Sequence, residues 1–243
     1  FSLTNNMIFS YPGYNEILTG KADSTIKSNA KIYNKNVTVL EKLNQTNNYK
    51  NKIAAFASWD VFPYIINDKR SGIPVNAGYM EELNIETPVV DYINKNQKRT
   101  PVIWENVRLD VYTHNIALEY IKKKRPKLVY IAYGETDDFA HGEKYDFYIN
   151  SLNYTDNMIA ELWGYVQSNK FYKDNTYFII TTDHGRGLMD DWSGHGTSKA
   201  SWLAILGPNI EKTGLVEGEF FTNQIAETIM QISKKSKTKI PTD

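Results

Sequence analysis

Three of the chain's four histidines, His141, His184 and His195, lie in its second half, each beside a carboxylate or between small residues. The segments are Asp137-Asp138-Phe139-Ala140-His141, Thr182-Asp183-His184-Gly185 and Gly194-His195-Gly196. Imidazole and carboxylate together are ligands of zinc and its neighbours, so the chemistry these residues could do is metal-assisted hydrolysis. Asp137 and His141 are four apart and share a face if the chain turns helically there. Asp183 and His184 can serve one ion only if the backbone bends sharply, which Gly185 and Gly187 permit. His195 adds a nitrogen from a glycine-flanked loop. Packing alone gives no reason for three partnered histidines in this pattern. His114 has no suitable partner nearby in sequence and reads as a surface or satisfied core histidine. Asp138 is expected behind the ligands or facing solvent.

These residues need elements to bring them together. Apolar runs at Leu128-Val129-Tyr130-Ile131-Ala132-Tyr133 and Tyr177-Phe178-Ile179-Ile180 read as buried strands just upstream of the first two segments, which places the ligands at strand ends. Ligands bind at the carboxyl ends of strands in open α/β sheets, so distant segments can converge on one crevice. Further strands are expected at Ile53-Ala57 and from Leu203 to Pro208. Helices are expected from Pro12 to about Thr19, through Val37-Leu43, from about Tyr112 to Lys124, from about Tyr145 to Gln167, and from Thr222 to Ile232. In the fourth of these, Ile149, Leu152, Ile159, Leu162 and Val166 share one face. The stretch 59–106, rich in aromatics, glycine and proline, shows no clear element and could form a lid or contact substrate. The alternation predicts an α/β fold, a largely parallel sheet sandwiched between helices, in one domain over residues 1–243.

Composition narrows the function classes. Lysine plus arginine balances aspartate plus glutamate at 28 each, so no net charge draws the chain to nucleic acid. Only the tail with Lys234, Lys235, Lys237 and Lys239 is basic, and it is expected to be solvated or frayed. Cysteine is absent, which excludes disulfides and thiolate metal sites. No apolar run approaches the ~20 residues of a membrane span, and no signal peptide is visible. No nucleic-acid-binding surface is evident, and composition says nothing of oligomeric state.

The stretch Ser10-Tyr11-Pro12-Gly13-Tyr14-Asn15-Glu16-Ile17-Leu18-Thr19-Gly20 joins this pattern to a known one. Together with Asp137-x-x-x-His141, Asp183-His184 and Gly194-His195, it resembles the alkaline phosphatase superfamily, especially its type I phosphodiesterase and nucleotide pyrophosphatase branch. There a serine or threonine nucleophile precedes an aromatic residue and proline, and Thr-Gly closes the helix. The resemblance implies Ser10 as nucleophile of a phosphate mono- or diester hydrolase working through a phosphoserine intermediate. It implies two divalent ions, zinc first, with manganese or magnesium as alternatives. One would be held by Asp137, His141 and His195, the other by Asp183, His184 and the Ser10 hydroxyl. It also favours an extracytoplasmic location. Amides at the start of the Pro12 helix would attract the phosphate, although a serine there is also a common helix cap.

Departures from that family shape the expectations. Its first strand ends in a metal-binding aspartate upstream of the nucleophile, and no acidic residue precedes Ser10 here. Either polypeptide upstream of Phe1 supplies that strand or the second metal site is incomplete. Tyr14 stands where the Ser/Cys-x-Pro-x-Arg sulfatases carry arginine, which counts against a formylglycine sulfatase. Gly13 replaces an asparagine common in the branch, leaving Asn29 or Asn34 as substitutes. The alternatives to a hydrolase are a phosphomutase, for whose inserted domain there is no clear room, and a catalytically degenerate binding module.

Overall fold

The computed structural model describes residues 1–211 and 214–235, so Lys237 and Lys239 of the basic tail lie outside the described residues. After an extended Phe9, helix α1 (Ser10–Thr19) ends on Gly20 at φ 74°, whose N–H donates to Glu16 O. The left-handed turn is one that glycine adopts without strain. Helix α2 (Val39–Asn44) starts where the Thr38 hydroxyl accepts from Glu41 N, two residues later than its apolar run suggested. Then come β1 (Ile53–Ala57), α3 (Phe62–Ile66), α4 (Asp68–Ser71), β2 (Val75–Ala77), α5 (Pro88–Asn96) and α6 (Asp110–Lys124). The second half holds β3 (Leu128–Ala132), α7 (Glu135–His141), α8 (Tyr145–Ser168), β4 (Phe178–Thr181), β5 (Leu203–Leu206) and α9 (Gln224–Lys235).

The strands form a parallel sheet in the order β2-β1-β3 and a separate antiparallel pair, β4 with β5. In the parallel sheet Ala55 lies opposite Val75 on one side and Tyr130 on the other. β1 is buried at every position because helices cover both its faces. Ile53, Ala55 and Ala57 pack with α1, α2 and α3, while Ala54 and Phe56 pack with Val90 and Ile93 of α5 and Ile116 and Tyr120 of α6. That is the continuous apolar run expected of a strand buried on two sides.

Two expectations change. The stretch 59–106 is not irregular: it folds into α3, α4, β2 and α5, and β2 forms the edge of the parallel sheet. On α8, Leu162 and Val166 are buried, but Ile149 and Leu152 are 37% and 43% exposed, so the inward face serves only the carboxyl half of the helix. None of the described helices is long and apolar enough to cross a membrane.

Candidate metal centre

The carboxyl ends of β3 and β4 meet. β3 leads through Gly134 into α7, whose turn sets Asp137 and His141 on one face, with His141 Nε2 3.3 Å from Asp137 Oδ2. β4 leads into Asp183 and His184. Backbones approach closely here: a Cβ on Gly13 would sit 2.2 Å from Asp183 O, and one on Gly185 would sit 2.2 Å from Ala200 O. Position 13 therefore has no room for the family's asparagine, because α1 lies directly on the end of β4.

All six residues singled out in the sequence gather in this crevice. Ser10 Oγ is 3.4 Å from His184 Nε2, which is 3.5 Å from Asp183 Oδ2. His141 Nε2 and His195 Nε2 are 2.9 Å apart. The two expected ligand groups adjoin, yet the tightest cluster crosses between them: Asp137, His184 and His195 each offer a ligand atom, all within 4.8 Å of one another. The His184 and His195 rings lie close and tilted, with centroids 3.8 Å apart and planes at 36°.

Imidazole orientation shows that the donors suit a cation. His195 Nδ1 is 2.7 Å from Ile8 O, and His184 Nδ1 is 2.9 Å from Gly185 O. A carbonyl can only accept, so in each neutral ring Nδ1 carries the hydrogen and the Nε2 lone pair faces the shared point, as metal-binding histidines are held. When these rings are protonated instead, burial still raises the pKa of Asp137, but hydrogen bonds with His141 and His195 and the charges of His184 and Arg186 outweigh it and hold the carboxyl far below its usual range. Asp183 moves the other way, raised by burial and then by the neighbouring Asp137. Burial, with Asp137 beside it, pushes Asp138 up to about 7. His141 is raised, chiefly by its hydrogen bond with Asp137. An excess of acceptors and carboxylates around one point is what a divalent cation neutralises.

Arg186 and Asp110 escaped the sequence reading. The Arg186 guanidinium donates to Asp137 Oδ1, to Asp137 O at 3.0 Å and to Ser193 O at 3.1 Å, tying α7 to the loop that carries His195. Asp110 is buried behind α7 and accepts from Gly134 N at 2.7 Å and Glu135 N at 3.0 Å, capping that helix, while Ser58 at the end of β1 donates to it. A cation two residues after His184 was the available signal for Arg186. Nothing local marked Asp110, whose partners are remote in sequence.

Other candidates sort by geometry. Ser10 is the first residue of α1, the N-cap is Phe9, and no side chain caps the helix. The amides expected to bind phosphate are largely taken: Tyr11 N donates to Asn29 Oδ1 at 2.9 Å, Pro12 has none, and Gly13 N donates to Phe9 O at 3.2 Å. That bond fixes the Asn29 amide with its NH2 unspent on the cleft wall beside Ser10. Asn34 is buried, with its NH2 committed to Asn15 and Ile65, and is structural. His114 is a satisfied core histidine, held by Tyr133 Oη at 2.9 Å and Glu161 Oε2 at 3.0 Å, both remote in sequence. Aromatic rings pair on α7, on α8 and in the loop before His195: Phe139 stacks on Phe147 and meets Trp104, and Trp192 packs against Tyr145 and Tyr148.

Comparison with known proteins speaks for the family and the fold. The sequence profile of the Metalloenzyme superfamily, which is alkaline phosphatase-like, matches residues 12–234. The crystal structure of the lipoteichoic acid synthase LtaP from Listeria monocytogenes superposes with a TM-score of 0.62 at 14% identity, over 95% of this chain. The chain spans 62% of that relative's length, and at this identity the likeness speaks for the fold. No curated protein matches the chain in sequence.

Proposed function

The chain belongs to the Metalloenzyme superfamily, whose members are generally enzymes acting on phosphate or sulfate esters and bind divalent metal, and from that premise we propose that it hydrolyses phosphate mono- or diesters through a phosphoserine on Ser10. One observation carries the reading: Ser10 Oγ lies 3.4 Å from a His184 nitrogen whose ring is locked by its other nitrogen on Gly185 O. Asp137, His141 and His195 form one metal-holding group; Asp183 and His184 form the other, with Ser10 beside it. The ions are two divalent cations, zinc first. When bound, the ions would supply Lewis-acid polarisation of the phosphoryl oxygens and lower the pKa of the Ser10 hydroxyl.

The chain's own groups do the rest. α1 fixes Ser10 for in-line attack on phosphorus, and the O–P bond to the ester oxygen breaks as the Ser10 O–P bond forms. Water then attacks the phosphorus, breaks the Ser10 O–P bond and returns the hydroxyl, releasing phosphate from a monoester or a phosphate monoester from a diester. The Asn29 NH2 is placed to donate to a phosphoryl oxygen, replacing the asparagine that Gly13 cannot be. Trp59, which lines the cleft at the start of the stretch 59–106, contacts the organic part of the substrate, a small molecule. The same resemblance favours an extracytoplasmic location.

The test is turnover of an aryl phosphate by metal-loaded protein, with acid quenching to trap the intermediate. Mass spectrometry should find phosphate on Ser10, and Ser10→Ala should lose activity by ~10³-fold or more at matched metal content. Wild-type turnover in that variant would transfer the attack to water and end the phosphoserine reading.

A further inference from the structure

Arg108 is completely buried, yet among the described residues no carboxylate touches its guanidinium. Nη1 donates to Asn76 Oδ1 of β2 at 2.8 Å, Nη2 to Ala57 O at the end of β1 at 3.3 Å, and Nε to Thr113 Oγ1 of α6 at 3.1 Å. Burial pulls its pKa down to about 10, while Asp110 and Glu82 hold it up, so the group is a cation at neutral pH. Burying a charge without a paired partner is costly, and apolar residues of similar volume often serve a fold as well or better. Packing alone gives no reason for it.

A chain of hydroxyls leads from it toward the metal centre. Thr113 Oγ1 is 2.8 Å from Ser58 Oγ, and Ser58 Oγ donates to Asp110 Oδ1. The single Ser58 hydrogen is spent on the carboxylate, so Thr113 must donate to Ser58 while it accepts from Arg108. The direction is thereby fixed from Arg108 through Thr113 and Ser58 to Asp110. Asp110 accepts in turn from Gly134 N and Glu135 N, and Glu135 returns the bond, its Oε1 accepting from Asp110 N at 2.7 Å. Helices α6 and α7 are thus each capped by the first residue of the other. The joint has no slack: a Cβ on Gly134 would sit 2.8 Å from Val107 Cγ1. Burial and then Glu135 push Asp110 up to about 7 against the donors that pull it down, and O–H dipoles aligned from a buried cation favour its ionised form.

We infer that Asp110 is a positioning residue for the metal centre: anchored by Arg108 through Thr113 and Ser58, it sets the start of α7 and with it the aim of Asp137 and His141. The inference rests on the reading that Asp137, His141 and His195 hold a cation, which Asp110 itself does not touch. α7 has only seven residues, with Asp137 third and His141 last, so a shift of its first turn is carried to both side chains. The amides of Asp137 and Asp138 donate to Gly134 O, at 3.1 and 3.2 Å, which ties the ligand turn to the same glycine that Asp110 holds.

The test uses cobalt(II), whose visible absorption reports the geometry of its ligands, titrated into the wild type and three variants; turnover does not enter. Asp110→Asn turns an NH2 toward donors and should bind cobalt ~10- to 100-fold more weakly, with a shifted band. Thr113→Val keeps Asp110 and both its bonds to α7 but cuts the hydroxyl chain, and should lose ~3- to 10-fold. It decides the matter if Asp110→Asn does not fold. Leu40→Ala, buried in α2 where that helix packs on α1, α4 and α9, should lose stability yet keep the wild-type affinity and band. Wild-type affinity and band in the folded Asp110 and Thr113 variants would overturn the inference, as would an equal loss in Leu40→Ala, which would make the effect one of general stability. A loss in Asp110→Asn alone would overturn the part given to Arg108. A wild type that takes up no cobalt would instead remove the metal centre, and the inference with it, so the two failures read differently.

Discussion

The half of the molecule around β1 and the half between β3 and β4 are built from similar apolar strands but reach opposite conditions. All five residues of β1 are buried, whereas among the nine of β3 and β4 only Ala132 is. The β1 half also fastens the nucleophile's helix: buried Glu16 of α1 accepts from Thr4 and Asn5 through both backbone and side chain, and from Thr222 ahead of α9. Ser10 thus rides on a scaffold complete in itself. The metal-facing groups ride on strands that are only partly buried. Positioning of a nucleophile and assembly of a cation site are separable in this fold, and substitutions should reveal the seam.

The largest effect belongs to the closed half. Phe56→Ala, on the strand packed against Tyr120, should cost about 3–5 kcal/mol by urea denaturation; a loss under about 1 kcal/mol would erase the distinction. Glu16→Gln turns an NH2 toward buried donors and should cost about 1–3 kcal/mol. Burial would raise the Glu16 pKa, but its hydrogen bonds outweigh that and lower it, so its stabilisation is present above the ordinary carboxylate pKa and is lost as pH falls through the lowered one. The difference between wild type and variant should therefore shrink below about pH 4, and a pH-independent difference would contradict an ionised Glu16.

At the seam, Arg186→Met should weaken metal binding by about 10- to 100-fold, since Asp137 loses the clamp joining it to the His195 loop. Tighter binding by calorimetry would show instead that Arg186 competes with the cation for Asp137. The smallest effect should be Ile180→Ala, about 1 kcal/mol or less, because neighbours that already leave β4 half-exposed lose little when a side chain shortens. A cost equal to that of Phe56→Ala would mean that the β3–β4 half is packed as tightly as the other.

Much of this was legible in the sequence for a physical reason. The strands at Ile53, Leu128 and Tyr177 are unbroken apolar runs, and the Asp137–His141 spacing needs only one helical turn. The elements inside 59–106 were missed because α3 has five residues, α4 four and β2 three, too short for a period to register. α5 had carried a signal, Thr87 followed by Pro88, a capping residue before a first-turn proline. The outward tilt of Ile149 and Leu152 was hidden because periodicity marks a face without saying how far its partner extends. Asp110 and Arg186 act across long sequence separations, where spacing carries no information.

Trp192 has a consequence of its own. It lies between Gly187 and His195, and its indole meets Tyr145 edge-on at 5.4 Å and Tyr148 at 5.8 Å. Any shift of the loop that brings His195 to a cation must change the surroundings of that ring. Arrival of metal should therefore be visible as a change in intrinsic emission, so the protein carries its own optical gauge of the loop, and Trp192→Phe would blank the gauge while leaving the imidazoles in place.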